Sequence, residues 1–164
     1  MDFNIRDQII TLLPRLRRFV FSLTGSQADA DDLLQDTCVR AIENLDKWEV
    51  GSRLDSWMYR MAQNIHKNNI RHMVVKTRHQ QAVTAEGESF TDGVGDITHK
   101  DELQKVSRSI NSLPGDQRTV LLLVAVEGYG YREAADILDV PIGTVTSRLA
   151  RARQALSETV QRQG

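Results

Sequence analysis

Between Thr144 and Arg153 the chain sets hydroxyls and guanidiniums at helical spacing with no carboxylate among them. At about 100° per residue, Thr144, Ser147, Arg148 and Arg151 share one sector of a helix. Val145, Leu149, Ala152 and Leu156 fill the adjoining sector. An arginine can grip a guanine edge through two parallel hydrogen bonds, and hydroxyls serve bases or phosphates. The chemistry on offer is recognition of an anion with readable edges, not bond making. Arg153 sits away from both sectors, within reach of a phosphate or an acid. Three arginines alone suit a solvated helix better, so the neighbouring elements must decide.

Those elements favour a reader. Tyr131–Leu138 is patterned as a short helix, with Ala134, Ala135 and Leu138 for packing. The turn "DVPIG" separates it from the basic helix. Short helix, turn and longer basic helix make a helix-turn-helix, whose second helix enters the major groove N-terminal end first. Upstream, the pattern predicts a helix over about 99–112. Another starts at "LPGDQRTVLLLVAVEG", with Pro114 in its first turn and Gly128 at its end.

The first half carries two more stripes. In "RLDSWMYRMAQNIHKNNIRH", Leu54, Met58, Met61 and Ile65 line one face, and Arg60, Asn64, Lys67 and Arg71 another. In "ADADDLLQDTCVRAIENL", Leu34, Cys38, Ala41 and Leu45 form an apolar stripe. Asp32, Asp36, Val39 and Glu43 form a mostly acidic one. Ser26 is the expected N-cap of that helix, with Asp29 closing a weak capping box. Ser52 and Asp55 suggest a capped start for the basic-striped helix. An earlier helix spans roughly Arg6 to Leu23, and Pro14 is expected to kink or divide it. Trp48, in the loop "DKWEVGSR", suits a core anchor or a base-stacking ring; Trp57 is expected in the core.

The net charge of −1 hides this segregation. With aromatics at 5%, aliphatic residues must build the core, a mix that favours helices. Residues 75–98, with Gly87, Gly93 and Gly95, read as a linker. The expected fold is all-α: two small helical domains, 1–74 and 99–164, joined by a flexible linker. One cysteine, Cys38, precludes an intrachain disulfide and suggests a reducing compartment and a core position. No apolar run is long enough for a membrane span, so no membrane insertion and a cytoplasmic location are expected. The histidines at 66, 72, 79 and 99 are scattered without metal spacing or a nucleophile–base pattern. No metal, cofactor, small-molecule substrate or enzyme activity is expected. His66 and His72, in the basic stretch, read as solvated or phosphate-facing.

"LPGDQRTVLLLVAVEGYGYREAADILDVPIGTVTSRLARARQAL" closely resembles region 4 of bacterial extracytoplasmic-function sigma factors, group 4 of the sigma-70 family. The two first-half motifs quoted above resemble region 2. "LPRLRRFVFSLTGSQADADDLLQDTCVRA" and "LLLVAVEG" resemble the subgroup that runs the alphaproteobacterial general stress response. The resemblance implies a subunit that directs core RNA polymerase to promoters and helps open them. Region 4 would read the −35 element through Thr144, Ser147, Arg148, Arg151 and Arg153. Region 2 would read the −10 element through Arg60, Asn64, Lys67, Asn68 and Arg71. Asp32, Gln35, Asp36 and Glu43 would meet the β′ clamp helices, with the β flap as a further polymerase contact. Many family members carry an acid where this chain has Asn68. An anti-sigma factor that clamps the two domains, or wedges between them, is the expected regulator. The free domains are expected to move independently; a compact chain would instead let them occlude each other's DNA surfaces. The competing reading is a sigma-like decoy that sequesters an anti-sigma factor without touching DNA. An ordinary helix-turn-helix repressor leaves the first half unexplained.

Overall fold

A computed structural model describes residues 3–77 and 100–163. Among them there is no strand, and seven α-helices carry the fold: α1 (Phe3–Thr24), α2 (Gln27–Glu43), α3 (Leu54–Thr77), α4 (Lys100–Asn111), α5 (Gly115–Leu121), α6 (Tyr131–Leu138) and α7 (Ile142–Gln163). Val75–Thr77 thus continue α3, and the rest of the expected linker lies outside the described residues.

Helices α1, α2 and α3 pack on one another. Leu16, Phe19 and Val20 of α1 meet Leu33 and Ala41 of α2 and Met58, Tyr59 and Ala62 of α3, all buried. Burying each large apolar side chain contributes about 1.5–3 kcal/mol. Helix α1 runs through Pro14 without dividing. Pro14 is exposed and the residue whose carbonyl it leaves without a donor, Ile10, is 63% exposed, so water can serve that carbonyl. Ser26 caps α2 as expected, its Oγ accepting from the Asp29 amide at 3.4 Å. The buried stripe of α2 is rotated from the expected one. Ala30, Leu33, Thr37 and Ala41 face the core, while Leu34, Cys38 and Leu45 are half-buried at its margin. Thr37 is admitted because its hydroxyl donates to Leu33 O at 2.7 Å, which satisfies the buried oxygen. Trp57 is likewise half-buried, whereas Trp48 is buried.

In the second half α5, α6 and α7 pack around Val120, Leu123, Ala134, Ile137, Val145 and Leu149. Helix α5 passes into a π-helical turn, Leu122–Val126, closed by the Glu127 amide donating five residues back to Leu122 O at 2.9 Å. Gly128, at φ +79°, then ends the run.

The two halves pack together, α1 against α5 and α3 against α6. In this arrangement the two halves are in direct contact. Tyr59, from α3, stacks on Phe19 at 4.5 Å and meets the edge of Tyr129 across the seam at 6.2 Å. Arg118 of α5 is buried and reaches across the seam to the end of α1. Its Nε donates to Ser22 O at 2.9 Å, and its Nη1 to Asn111 O and Leu113 O at 3.1 and 3.2 Å. Helix α1 has no basic residue in its own last turn, so a cation from the other half serves its carbonyl end.

Candidate nucleic-acid interface

Helix α6 ends at Asp139, whose left-handed φ of +55° reverses the chain. Aspartate tolerates that region better than most residues. The Val140 amide closes the end of α6 on Ala135 O at 3.1 Å. Pro141 then offers its carbonyl to the amides of Thr144 and Val145 at 3.0 and 3.4 Å, which starts α7. Val145, Leu149 and Ala152 are buried against the domain. That anchorage leaves Ser147, Arg151 and Arg153 exposed, with Thr144 and Arg148 half-buried beside them. The Ser147 hydroxyl donates to Thr144 O at 3.2 Å, which leaves its lone pairs free to accept. Arg148 Nε lies 3.6 Å from Asp116 Oδ2, at the start of α5.

On α3, Arg60, Asn64, Asn68 and Arg71 are exposed along one face. Lys67 is half-buried, its Nζ 3.8 Å from Asp139 Oδ2 in the helix-turn-helix turn. The basic face of α3 therefore touches the turn that leads into α7. On α2, Asp32, Gln35, Asp36 and Glu43 are all exposed, and Val39 and Ile42 stand exposed among them. A shallow groove runs from Asp36, Val39 and Glu43 to Asn68 and His72 of α3, so the acidic face and the end of the basic stripe share a border.

His66 departs from its expected place. It is half-buried and its pKa is pushed down by burial, against the pull of Asp29, so it stays neutral more readily than a solvated histidine. Cys38, half-buried, has its thiol pushed up by burial, which keeps it protonated and unreactive.

Sequence patterns did not reveal the role of Asp55. Rather than capping α3, it accepts the Tyr129 hydroxyl across the seam at 2.5 Å. It also accepts Arg53 Nη2 at 3.0 Å, Arg15 Nη2 at 3.1 Å and the Ser56 amide at 2.9 Å. Burial alone would raise its pKa, but Tyr129, Arg53, Ser56 and Arg15 outweigh it and hold the carboxyl at about 2. Burial, together with this bond, pushes Tyr129 up to about 12. Arg15 also donates through Nε to Glu127 Oε2 at 2.8 Å, and Arg53 Nη1 reaches Glu133 at 3.2 Å. Arg53 lies over the Tyr129 ring at 4.6 Å. A polar cluster thus closes the seam between the halves. Its partners lie some 40 to 112 residues apart, beyond any local pattern.

Comparison with known proteins matches this architecture. The Sigma-70 region 2 family fits residues 9–73 and the Sigma-70, region 4 family residues 103–156. The chain is 34% identical over 157 residues to the ECF RNA polymerase sigma factor EcfG of Rhodopseudomonas palustris, covering 94% of this chain and 83% of that protein. It is 34% identical over 162 residues to the ECF RNA polymerase sigma-E factor of Escherichia coli, covering 92% and 85%. Among solved structures, the sigma factor RpoE of Bartonella quintana, crystallised with the anti-sigma factor NepR, superposes with a TM-score of 0.82 at 30% identity, over 96% of this chain and 97% of that one. Two matched regions in the family order, with more than four fifths of each relative covered, place the chain in the extracytoplasmic-function family of RNA polymerase sigma factors.

Proposed function

We propose that the packed arrangement is the silent state of this sigma factor, and that its readers work only once the halves separate. The observation that carries this is the 3.8 Å contact between Lys67, on the −10 stripe, and Asp139, in the turn before the −35 helix. The two promoter elements are named for their positions, so they lie roughly 25 base pairs apart, about 85 Å along B-DNA. Readers held this close cannot span that distance on one duplex.

In the open state α7 reads the −35 element. Arg148, with Thr144 and Ser147 beside it, approaches base edges; Arg151 and Arg153 meet base edges or phosphates. Arg60, Asn64, Lys67, Asn68 and Arg71 of α3 engage the −10 element, where strand separation exposes bases to a basic, amide-bearing face. Asp32, Gln35, Asp36 and Glu43 surround Val39 on α2, a charged rim about an apolar centre suited to a basic polymerase surface. The domains correspond to 1–74 and 99–164. No catalytic step belongs to this reading, and the place of work is the cytoplasm, with polymerase and promoter.

An anti-sigma factor is the partner that would hold the silent state. Support comes from the Bartonella sigma factor, which resembles this chain along both halves while in complex with NepR. Run-off transcription with core polymerase, a set of promoter fragments and this chain tests the reading, alongside the double variant Arg148→Ala, Arg151→Ala. Transcription that needs the chain and falls in the double variant supports it. Binding to an anti-sigma factor with no transcription from any promoter would mark a decoy instead.

A further inference from the structure

Arg148 differs from its neighbours on α7. Among the described residues, no carboxylate lies within 4.0 Å of Arg151 or Arg153, whereas Arg148 Nε sits 3.6 Å from Asp116 Oδ2. The carboxylate is itself held. Its other oxygen, Oδ1, accepts the Gln117 amide at 2.9 Å, in the first turn of α5. The turn before α5 is pinned by the buried Arg118, which bonds Asn111 O and Leu113 O. Helices α5 and α7 pack directly on each other. A chain of contacts therefore runs from the protein interior through Asp116 to the Nε edge of Arg148.

The geometry of a guanidinium gives that chain a meaning. Its donors lie in one plane, and a bidentate grip on a guanine edge uses two of them side by side. At 3.6 Å the contact is an ion pair; a carboxylate on the Nε side leaves the two terminal nitrogens available and biases the direction in which they point. A free arginine on a solvated helix must give up several rotatable bonds when it binds. We propose that Asp116 is a positioning residue for base reading: it orients Arg148 toward the groove and so sharpens promoter selectivity without touching DNA. This rests on the reading of α7 as the −35 helix.

A purely electrostatic Asp116 would behave differently. A carboxylate near the duplex repels phosphates whatever the sequence, so removing it would strengthen binding to every promoter alike. Positioning instead affects one base pair.

The test is run-off transcription by core polymerase carrying the full chain, on a promoter it transcribes and on derivatives with each −35 base pair substituted in turn. Arg148→Ala identifies the base pair whose substitution ceases to matter. Asp116→Asn is expected to lower discrimination at that same base pair about 2–10-fold, the share carried by pre-ordering one long side chain, and to leave the other positions unchanged. Asp116→Glu, which keeps the carboxylate, is expected to retain most of the discrimination. Adding Asp116→Asn to Arg148→Ala is expected to change nothing further. Asp116→Asn raising transcription equally on every derivative, with discrimination intact, overturns the proposal while leaving α7 as the reader. Arg148→Ala leaving every position discriminated as before overturns the reading of Arg148 itself, and this inference with it.

Discussion

Arg118 Nε donates to Ser22 O at 2.9 Å, so a side chain of the second half finishes a helix of the first. Beside it the Ser22 and Thr119 hydroxyls lie 3.2 Å apart, and a Cβ on Gly115 would stand 3.3 Å from Leu23 O. The halves touch here at the limit of backbone approach.

Gly115→Ala is therefore expected to loosen the seam while leaving each helical bundle folded. Small-angle scattering should show a larger radius of gyration than the parent chain, with helical circular dichroism unchanged. An identical scattering profile would mean that Leu23 yields locally and that Gly115 does not set the approach.

Arg118→Met keeps much of the side-chain volume and removes the donors. The carbonyls of Ser22, Asn111 and Leu113 lose a buried partner, at a cost of about 1–3 kcal/mol for each that water cannot reach. The urea midpoint should fall accordingly. Amide exchange at the end of α1 should quicken most. Uniform quickening throughout the chain would show that Arg118 supports general stability, not the seam.

Acid should weaken the closed state through Asp55. Its carboxyl is held at about 2, below the ordinary carboxylate value near 4, so its stabilisation is present above pH 4 and is lost as pH falls from 4 through 2. That difference amounts to about 2 kcal/mol. Asp55→Asn should flatten the pH dependence of urea unfolding across this window. Tyr129→Phe, which deletes the bond across the seam, should reproduce part of the flattening. Unchanged pH profiles in both variants would remove Asp55 from the account.

Arg153 lies outside the base-reading sector, so its expected partner is a phosphate. Arg153→Ala should weaken binding of the polymerase complex to all promoters alike and reduce the salt slope by about one. A sequence-dependent loss would instead place Arg153 among the base readers.

Charge reversal on α2 probes a different surface. Asp36→Arg, at an exposed position, should leave folding intact and slow assembly with core polymerase about tenfold at low salt. Fluorescence stopped flow would measure this. An unaltered association rate at every ionic strength would take Asp36 out of the docking face.

Much of this was readable in the sequence where one helix carries its own information. The sectors of α7 follow from a 100° rotation per residue, and the Ser26 cap from a single bond three residues along the chain. Other features depend on partners far along the chain. Arg118 and Asp55 have the composition of surface residues, and only the closing of two bundles turns them into a helix cap and a hub. On α2 the burial of Thr37 escaped notice because a hydroxyl counts as polar until its bond to Leu33 O is seen. Pro14 leaves α1 undivided because the rule against proline weakens where the vacated carbonyl faces water.

The π-helical turn at Leu122–Val126 acts as a length gauge. It stores one residue more than an α-turn would, and Glu127 follows it directly. Removing one residue from that stretch would let the five-residue turn relax to an ordinary four-residue turn, which covers nearly the same rotation and leaves Glu127 aimed at Arg15. The spare residue is taken up by the pitch, and the anchor of the seam keeps its bearing. This stretch should therefore tolerate a one-residue deletion, whereas the same deletion in the α-helical turns of α5 before it would rotate everything beyond by about 100° and amount to a change of interdomain geometry.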